Sequence, residues 1–494
     1  MKVIKRDGRA VEYNSNKIFV AIEKANNDVT EDKRTTEEEI NHIIEYIESL
    51  DKKRILVEDI QDIIEQKLME LGKYELAKQY IVYRYTRALV RKQNTTDESI
   101  LGLIKNGGNV FQNSERNSMM ACVQRNLIAG EVSKDLTKRI LLPEKITKAH
   151  EDGILYFHDM EYFLQPIINS SLINLGDMLD NGTCINNYNI DTPNGFLEAC
   201  MIFSQIIQAV SNSQYGKIYV DVKHLGKYLR KSTKNIIENE ENIIGKNSLE
   251  SHKKQQKIVD NKVEKELEQG IKIIKYQING LINMSGNNHI VSLIMINDSE
   301  NEYYEEIEMI INEIKKQNIE NCDIITDKQE IPEYQYEGHF NYGIVSINLL
   351  KIVKDLLKNN FENSNKEEID KNKLENNFWK MLDDRLELCY EALMCRHYAL
   401  LGTMSDSSPI HWQYGAISRI EKGEKIDKLL KDGYSDICLN YTDFDETINI
   451  MSENLEMDKS YEEKFKNKLS KNLENKVQNW RKMTGLGFTL KKDI

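Results

Sequence analysis

The sequence predicts an α/β protein of two or more units, and three stretches carry that reading. "VIKRDGRAVEY" alternates and turns at Asp7-Gly8, a short-range hairpin signal. Behind it, "NSNKIFVAIEKAN" sets Ile18, Ala21, Ile22 and Ala25 at helical spacing. Further on, the compact apolar strand "FNYGIVSINLL" precedes a long amphipathic helix, "FWKMLDDRLELCYEALMCRHYALL". The chain has 494 residues, too many for one ordinary small domain and enough for a large core.

Taken in order, residues 1–92 read as a β-hairpin with a helical bundle. "TTEEEI" opens a helix with a capping box, Thr36 with Glu39. Two more helices run through "EDIQDIIEQKLMEL" and "YELAKQYIVYRYTRALVR", and the polar "KQNTTDES" is the linker. The second unit, 93–494, mixes helices with short strands. In "YFLQPIINSSLINLGDML", the pair Ser170-Ser171 stands between apolar residues and reads as two small polar residues in a buried strand. "FLEACMIFSQIIQAVSNSQYG" reads as a long apolar helix that ends at Gly216. The charge-rich stretch from Ser232 to Gly270 reads as a solvated helical excursion. "IKYQINGLINMSGNNHIVSLIMIN" resumes as helix, loop and strand, and "NNFENSNKEEIDKNKLENN" is a polar insert.

Composition excludes several classes. With 67 basic and 80 acidic residues the net charge is -13, which disfavours nucleic acid as a partner, because phosphate neutralisation needs a basic stripe. No apolar run of about 18 residues exists, so no membrane partner is expected. The charged start "MKVIKRDGRA" does not read as a signal peptide, and none is expected. Seven irregularly spaced cysteines, with no C-x-x-C pair, do not form a disulfide framework, and a reducing cytoplasmic setting is expected.

Lys5 and Arg6 flank the tight turn, Asn14 and Lys17 stand at a helix start, and Arg87 lies on a later helix. Cations beside free backbone N–H groups and a positive helix end suit a polyphosphate. The alternative is a solvated basic edge.

Those residues carry a resemblance. "VIKRDGRAVEYNSNKIFVAIEKAN" with "LAKQYIVYRYTRALVR" resembles an ATP-cone. "HEDGILYFHDMEYF", "SSLINLGDMLDNGTCINN", "GIKIIKYQINGLINMSG", "YEGHFNYGIVSINL", "SPIHWQYGA" and "WRKMTGLGFTL" follow, in order, the pattern of the anaerobic (class III) ribonucleoside-triphosphate reductases. The resemblance implies an ATP-cone at 1–92, holding ATP or dATP as effector through Lys5, Arg6, Asn14, Lys17 and Arg87. It implies a shortened reductase-type α/β barrel at 93–494, acting on nucleoside triphosphates by glycyl and thiyl radical chemistry. The family dimerises, so a homodimer or pairing with an intact reductase is expected, beside an iron–sulfur activase that uses S-adenosylmethionine.

Residue by residue, His158 in "FHD" falls beside the substrate site, although a satisfied His-Asp pair is an equal reading. Asn348 in "GIVSINL" matches the asparagine near the substrate ribose. Cys322 is the cysteine at the thiyl position, but its neighbours are Asn321 and Asp323 where the family has glycine and arginine. At Ser170-Ser171 the family carries a cysteine. A serine O–H is far harder to break homolytically than S–H, and serine enters no disulfide cycle. The family's glycyl-radical loop, Arg-x-x-Gly-Tyr, and its four-cysteine zinc site have no counterpart motif in this sequence. The expectation is a degenerate copy, inactive alone, with nucleotide binding retained; the alternatives are a regulatory nucleotide-binding paralogue that pairs with an intact reductase, or a fragment that needs a separate radical-domain polypeptide.

Overall fold

The structure is a computed structural model that describes residues 2–4, 10–27, 29–50, 52–85, 100, 120–244, 249–283, 286–327, 337–363 and 371–492. Contacts divide the chain into two units, Met1–Leu101 and Gly102–Ile494. The boundary expected at 92/93, the Asp7-Gly8 turn, Lys5, Arg6 and Arg87 lie outside the described residues.

In the first unit, β1 (Lys2–Ile4) pairs antiparallel with β2 (Ala10–Glu12) and parallel with β3 (Arg54–Leu56). Four helices pack with this sheet: α1 (Asn16–Asn26), α2 (Glu37–Ser49), α3 (Val57–Glu70) and α4 (74–85). Their isoleucines recur at helical spacing, and Ile18, Ile22, Ile40, Ile43, Ile47, Ile60 and Ile64 share one core. The capping box forms: Thr36 Oγ1 accepts from Glu39 N at 3.3 Å, and Glu39 Oε2 accepts from Thr36 N at 2.8 Å. Arg84 on α4 clamps α3 through Glu58, Asp62 and Glu65.

The second unit opens with α5 (Ala121–Leu136), α6 (Glu144–Glu151), β4 (Leu155–Phe157), β5 (Ser170–Leu172) and α7 (Leu175–Asp180). A hairpin of β6 (Thr183–Ile185) and β7 (Tyr188–Ile190) follows, then α8 (Phe196–Ser211), β8 (Ile218–Asp221), α9 (Gly226–Ile244) and α10 (Leu249–Gly280). Next come β9 (Val291–Ile294), α11 (Tyr304–Gln317), β10 (Cys322–Ile325), β11 (Phe340–Asn348), α12 (Leu349–Asn363) and α13 (Lys371–Leu400). The last elements are α14 (Pro409–Trp412), β12 (Ser435–Thr442), α15 (Phe444–Leu455), α16 (Lys459–Thr484) and β13 (Phe488–Lys492).

Eight strands form one sheet in the order β10-β9-β8-β5-β11-β12-β13, with β4 also on β11. Strands β5, β8, β9 and β10 are mutually parallel, as are β11, β12 and β13. The two halves meet antiparallel at β5 and β11. Helices α8, α10 and α11 cover one half, and α12, α13, α15 and α16 cover the other, with the two main cores between sheet and helices. Alternation along each strand then turns the intervening residues to the opposite, inner face.

The stretch from Ser232 to Gly270 departs from the solvated reading. Val259, Val263 and Leu267 are buried in the core under α8, at a spacing of four that the surrounding charges obscure. The apolar helix at 196 ends at Ser211, short of Gly216.

Candidate active face of the sheet

The two adjacent serines point to opposite sides. Ser171 and Ile173 face the helix layer, whereas Leu172 packs with Ile294 and Ile325 on the inner face, so Ser170 also faces inward. Ser170 stands in register with Asn341, and Asn341 with Asp436, so the three form a row across β5, β11 and β12. Asn341 Nδ2 donates to Asp436 Oδ2 at 2.8 Å, and Thr489 Oγ1 donates to the same oxygen at 2.8 Å. Tyr219 on β8 senses both Asp323 and Asp436: burial and these two carboxylates push its phenol up to about 12. The Ser170-Asn341-Asp436 row thus crosses from one half of the sheet to the other, beside the apolar cluster of Leu172, Ile294 and Ile325.

Further along that face, His158 Nε2 lies 2.6 Å from Ser346 Oγ, and Asn440 Nδ2 donates to Ser346 Oγ at 3.0 Å. Burial draws His158 down to about 4 against the opposing pull of Glu161, so its imidazole is neutral near pH 7. Its neighbour Asp159, in left-handed backbone, helps offset the charge of the buried Arg396. Arg396 in turn donates to the carbonyls of Tyr342, Tyr162, Phe163 and Ile167, tying the segment 162–167 to β11. Gly343 makes room for it, because a Cβ there would sit 2.7 Å from Arg396 Cγ.

The residues singled out in the sequence do not all meet. Asn348 ends β11, and its Oδ1 accepts from Lys351 N at 2.9 Å, capping α12. Among the asparagines of β11, the one in register with Ser170 is Asn341, which only strand pairing reveals. Cys322 opens the edge strand β10, four strands from β11, in the core on the helix side, with its Sγ 3.8 Å from Ile319 O. Burial, then Asp323, pushes its thiol up to about 11. By alternation with Asp436 and Asn440, Cys438 on β12 faces inward; it is fully buried, and burial pushes its thiol up to about 12. In the first unit, Asn14 Oδ1 accepts from Asn16 N at 3.0 Å at the head of α1, and Lys17 is exposed there. Among the described residues no group of three His, Cys, Asp or Glu side chains is placed to hold a metal ion.

Behind β5 lies a buried uncharged relay. Ser171 Oγ donates to Gln214 Oε1 at 2.7 Å, while Gln214 Nε2 donates to Lys217 O at 2.8 Å and so fixes the amide orientation. His411 Nε2 lies 3.1 Å from the same Oε1, which only accepts, so the proton is on Nε2. Ser408 Oγ therefore donates to His411 Nδ1 at 2.8 Å. Burial alone draws His411 down to about 3.

Unfolded, both histidines titrate near about 6.5. Folded, both stay neutral to lower pH, so the unfolded chain binds more protons and stability falls as pH drops below about 6.5. Urea midpoints are expected to be lower at pH 5.5 than at pH 7.5, with a smaller difference in His411→Gln. A midpoint that holds or rises on acidification contradicts this protonation assignment.

The family model for anaerobic ribonucleoside-triphosphate reductase matches residues 112–324 and 315–492, and the ATP cone domain model matches 1–89. Relatives named anaerobic ribonucleoside-triphosphate reductase include those of Haemophilus influenzae, 27% identical, and Salmonella typhimurium, 24% identical. Each alignment covers 99% of this chain, and 76% and 75% of the respective relative. A crystal structure of the anaerobic ribonucleotide reductase from Thermotoga maritima superposes with a TM-score of 0.53 at 11% identity, covering 83% of this chain and 75% of that one. No helix among the described residues is long and apolar enough to cross a membrane. With most of its length matched by the reductase model and its first 89 residues by the cone, this chain belongs to the anaerobic ribonucleoside-triphosphate reductase family and carries an N-terminal ATP cone.

Proposed function

We propose that this chain is a nucleotide-binding member of its family whose barrel does not by itself complete reduction of ribonucleoside triphosphates. The observation that carries this is the inner row Ser170-Asn341-Asp436, which presents a hydroxyl where the family resemblance puts a thiol. Cys322 cannot stand in, because it lies on the far side of the sheet, at its edge. A hydroxyl neither yields a hydrogen atom as a thiol does nor cycles through a disulfide. The cone supplies ATP or dATP binding, and a second copy or an intact reductase with its iron–sulfur activase is the partner through which binding is felt.

A second reading rests on Cys438, the cysteine whose position on β12 turns it to the inner face. If that thiol serves in place of the missing one, anaerobic turnover appears in the unmodified chain and disappears in Cys438→Ser. On the first reading there is no turnover to lose.

The cone is tested separately. Calorimetry on the full chain should show ATP or dATP binding that weakens in Lys5→Ala and Arg6→Ala, each losing about 1.5–3 kcal/mol of charge-assisted contact. Equal affinity in the double variant removes these cations from the effector site.

A further inference from the structure

A charged cluster sits where the sheet ends, away from the Ser170 row. β10 has four residues and, among the described residues, pairs only with β9. Cys322 packs into the helix layer and Ile325 onto the inner face, so by alternation Asp323 faces inward. Its carboxylate gathers three side chains. Lys217, which precedes β8, reaches across β9 to form an ion pair with Oδ2. Ser292 Oγ donates to the same oxygen at 3.4 Å. Against the effect of burial, the bonds from Lys217 and His289 hold Asp323 below the ordinary carboxylate range, so it is charged at neutral pH. His289 Nε2 lies 2.6 Å from Oδ1, and a carboxylate only accepts, so the imidazole proton is on Nε2.

The entry to β10 is pinned to the end of α10. Asn279 Oδ1 accepts from Glu320 N at 3.1 Å and Asn321 N at 3.2 Å, and Asn279 O accepts from Asn321 Nδ2 at 2.9 Å. At the exit, Met295 N donates to Ile325 O at 2.9 Å. Between these points, besides the ladder with β9, the polar hold on the strand is the Asp323 cluster. That cluster is open to water: the side chains of Lys217, His289 and Asp323 are 45%, 35% and 39% exposed. Ion pairs so placed are modest and are screened by salt. A short strand with one neighbour belongs to the part of a fold that opens locally before the whole unfolds. Cys322 is buried while the strand is in place, so its thiol reports whether the strand is attached.

We propose that Lys217, Asp323 and His289 form a clasp that keeps β10 on the sheet, and that its release lets the Cys322 segment leave the edge as a strap while the rest of the unit stays folded. This rests on the reading that Cys322 stands outside the inner face, and it adds that the clasp keeps it there. The test is labelling of the full chain with iodoacetamide, mapped by peptide mass spectrometry so that Cys322 and Cys389 are followed separately. The wild type is compared with Lys217→Met and Asp323→Asn. Cys389, fully buried on α13, reports global unfolding. In each variant Cys322 is expected to label about five-fold faster or more, with Cys389 unchanged. In the wild type Cys322 should label faster at about 1 M potassium chloride than at low salt. The wild-type salt series keeps the test decisive should a variant fail to fold. The proposal is overturned if Cys322 labels at the wild-type rate in the folded variants, if it ignores salt in the wild type, or if Cys389 speeds up in step with it. Labelling follows exposure and not turnover, so the clasp can fail while the reading of the Ser170 row stands.

Discussion

Arg396→Met is expected to destabilise the second unit by about 3–5 kcal/mol, the usual cost of removing one side of a buried charged arrangement. Arg396 is 4% exposed, and its guanidinium donates to four backbone carbonyls. Methionine keeps most of the stem, so the packing loss is small and the change isolates the donors. It also leaves the Asp159 carboxylate without the positive charge that faces it. Arg396→Lys should recover part of the loss, because one ammonium cannot span carbonyls that a planar fork reaches. The measurement is the urea midpoint, with hydrogen exchange over 158–167 to locate the loosening. If Arg396→Met is as stable as the parent, the guanidinium does not hold the segment 162–167 on β11.

The second large effect belongs to Gln214. In Gln214→Leu the hydroxyl of Ser171 and the Nε2–H of His411 each lose a partner in a buried site, whereas the carbonyl of Lys217 keeps its bond from Ser171 N. An unpaired buried polar group costs about 1–3 kcal/mol. Relaxation makes such costs less than additive, so a loss on the order of 2–5 kcal/mol is expected. Gln214→Glu separates charge from shape. A carboxylate beside His411 favours the imidazolium, so the acid sensitivity of the chain should shrink even though the contact to Lys217 O is lost. Gln214→Leu with an unchanged midpoint would show that the relay carries no stability.

Much of the cone was legible because its signals are local. The Thr36-Glu39 box and the isoleucine spacing of α1 to α3 lie within single turns of helix, and they form as read. The buried strand at Ser170-Ser171 was legible for the same reason. Which serine faces inward was not, because successive residues of a strand point to opposite faces and only the helix layer decides which face is inner. Asn341 and Asn348 share one strand, and neither is distinguished in sequence; cross-strand register sets Asn341 beside Ser170, while Asn348 caps a helix. Asp436, Cys438 and Asn440 lie about a hundred residues downstream of Asn341, and parallel pairing of β11 with β12 alone brings them to the face. The stretch before Gly270 misled because lysines and glutamates outnumber its buried valines and leucines, although the apolar spacing was present.

The central claim is that the inner face lacks the thiol that ribonucleotide reduction needs at the Ser170 row. It is tested most directly by chromatographic detection of deoxynucleotides under anaerobic conditions, with the full chain, a family activase, S-adenosylmethionine, formate and each ribonucleoside triphosphate. The account predicts no deoxynucleotide from the unmodified chain, and none from Ser170→Cys, since groups that act as a unit are not restored one at a time. Sustained deoxynucleotide formation by the unmodified chain, with Ser170 in place, would contradict it.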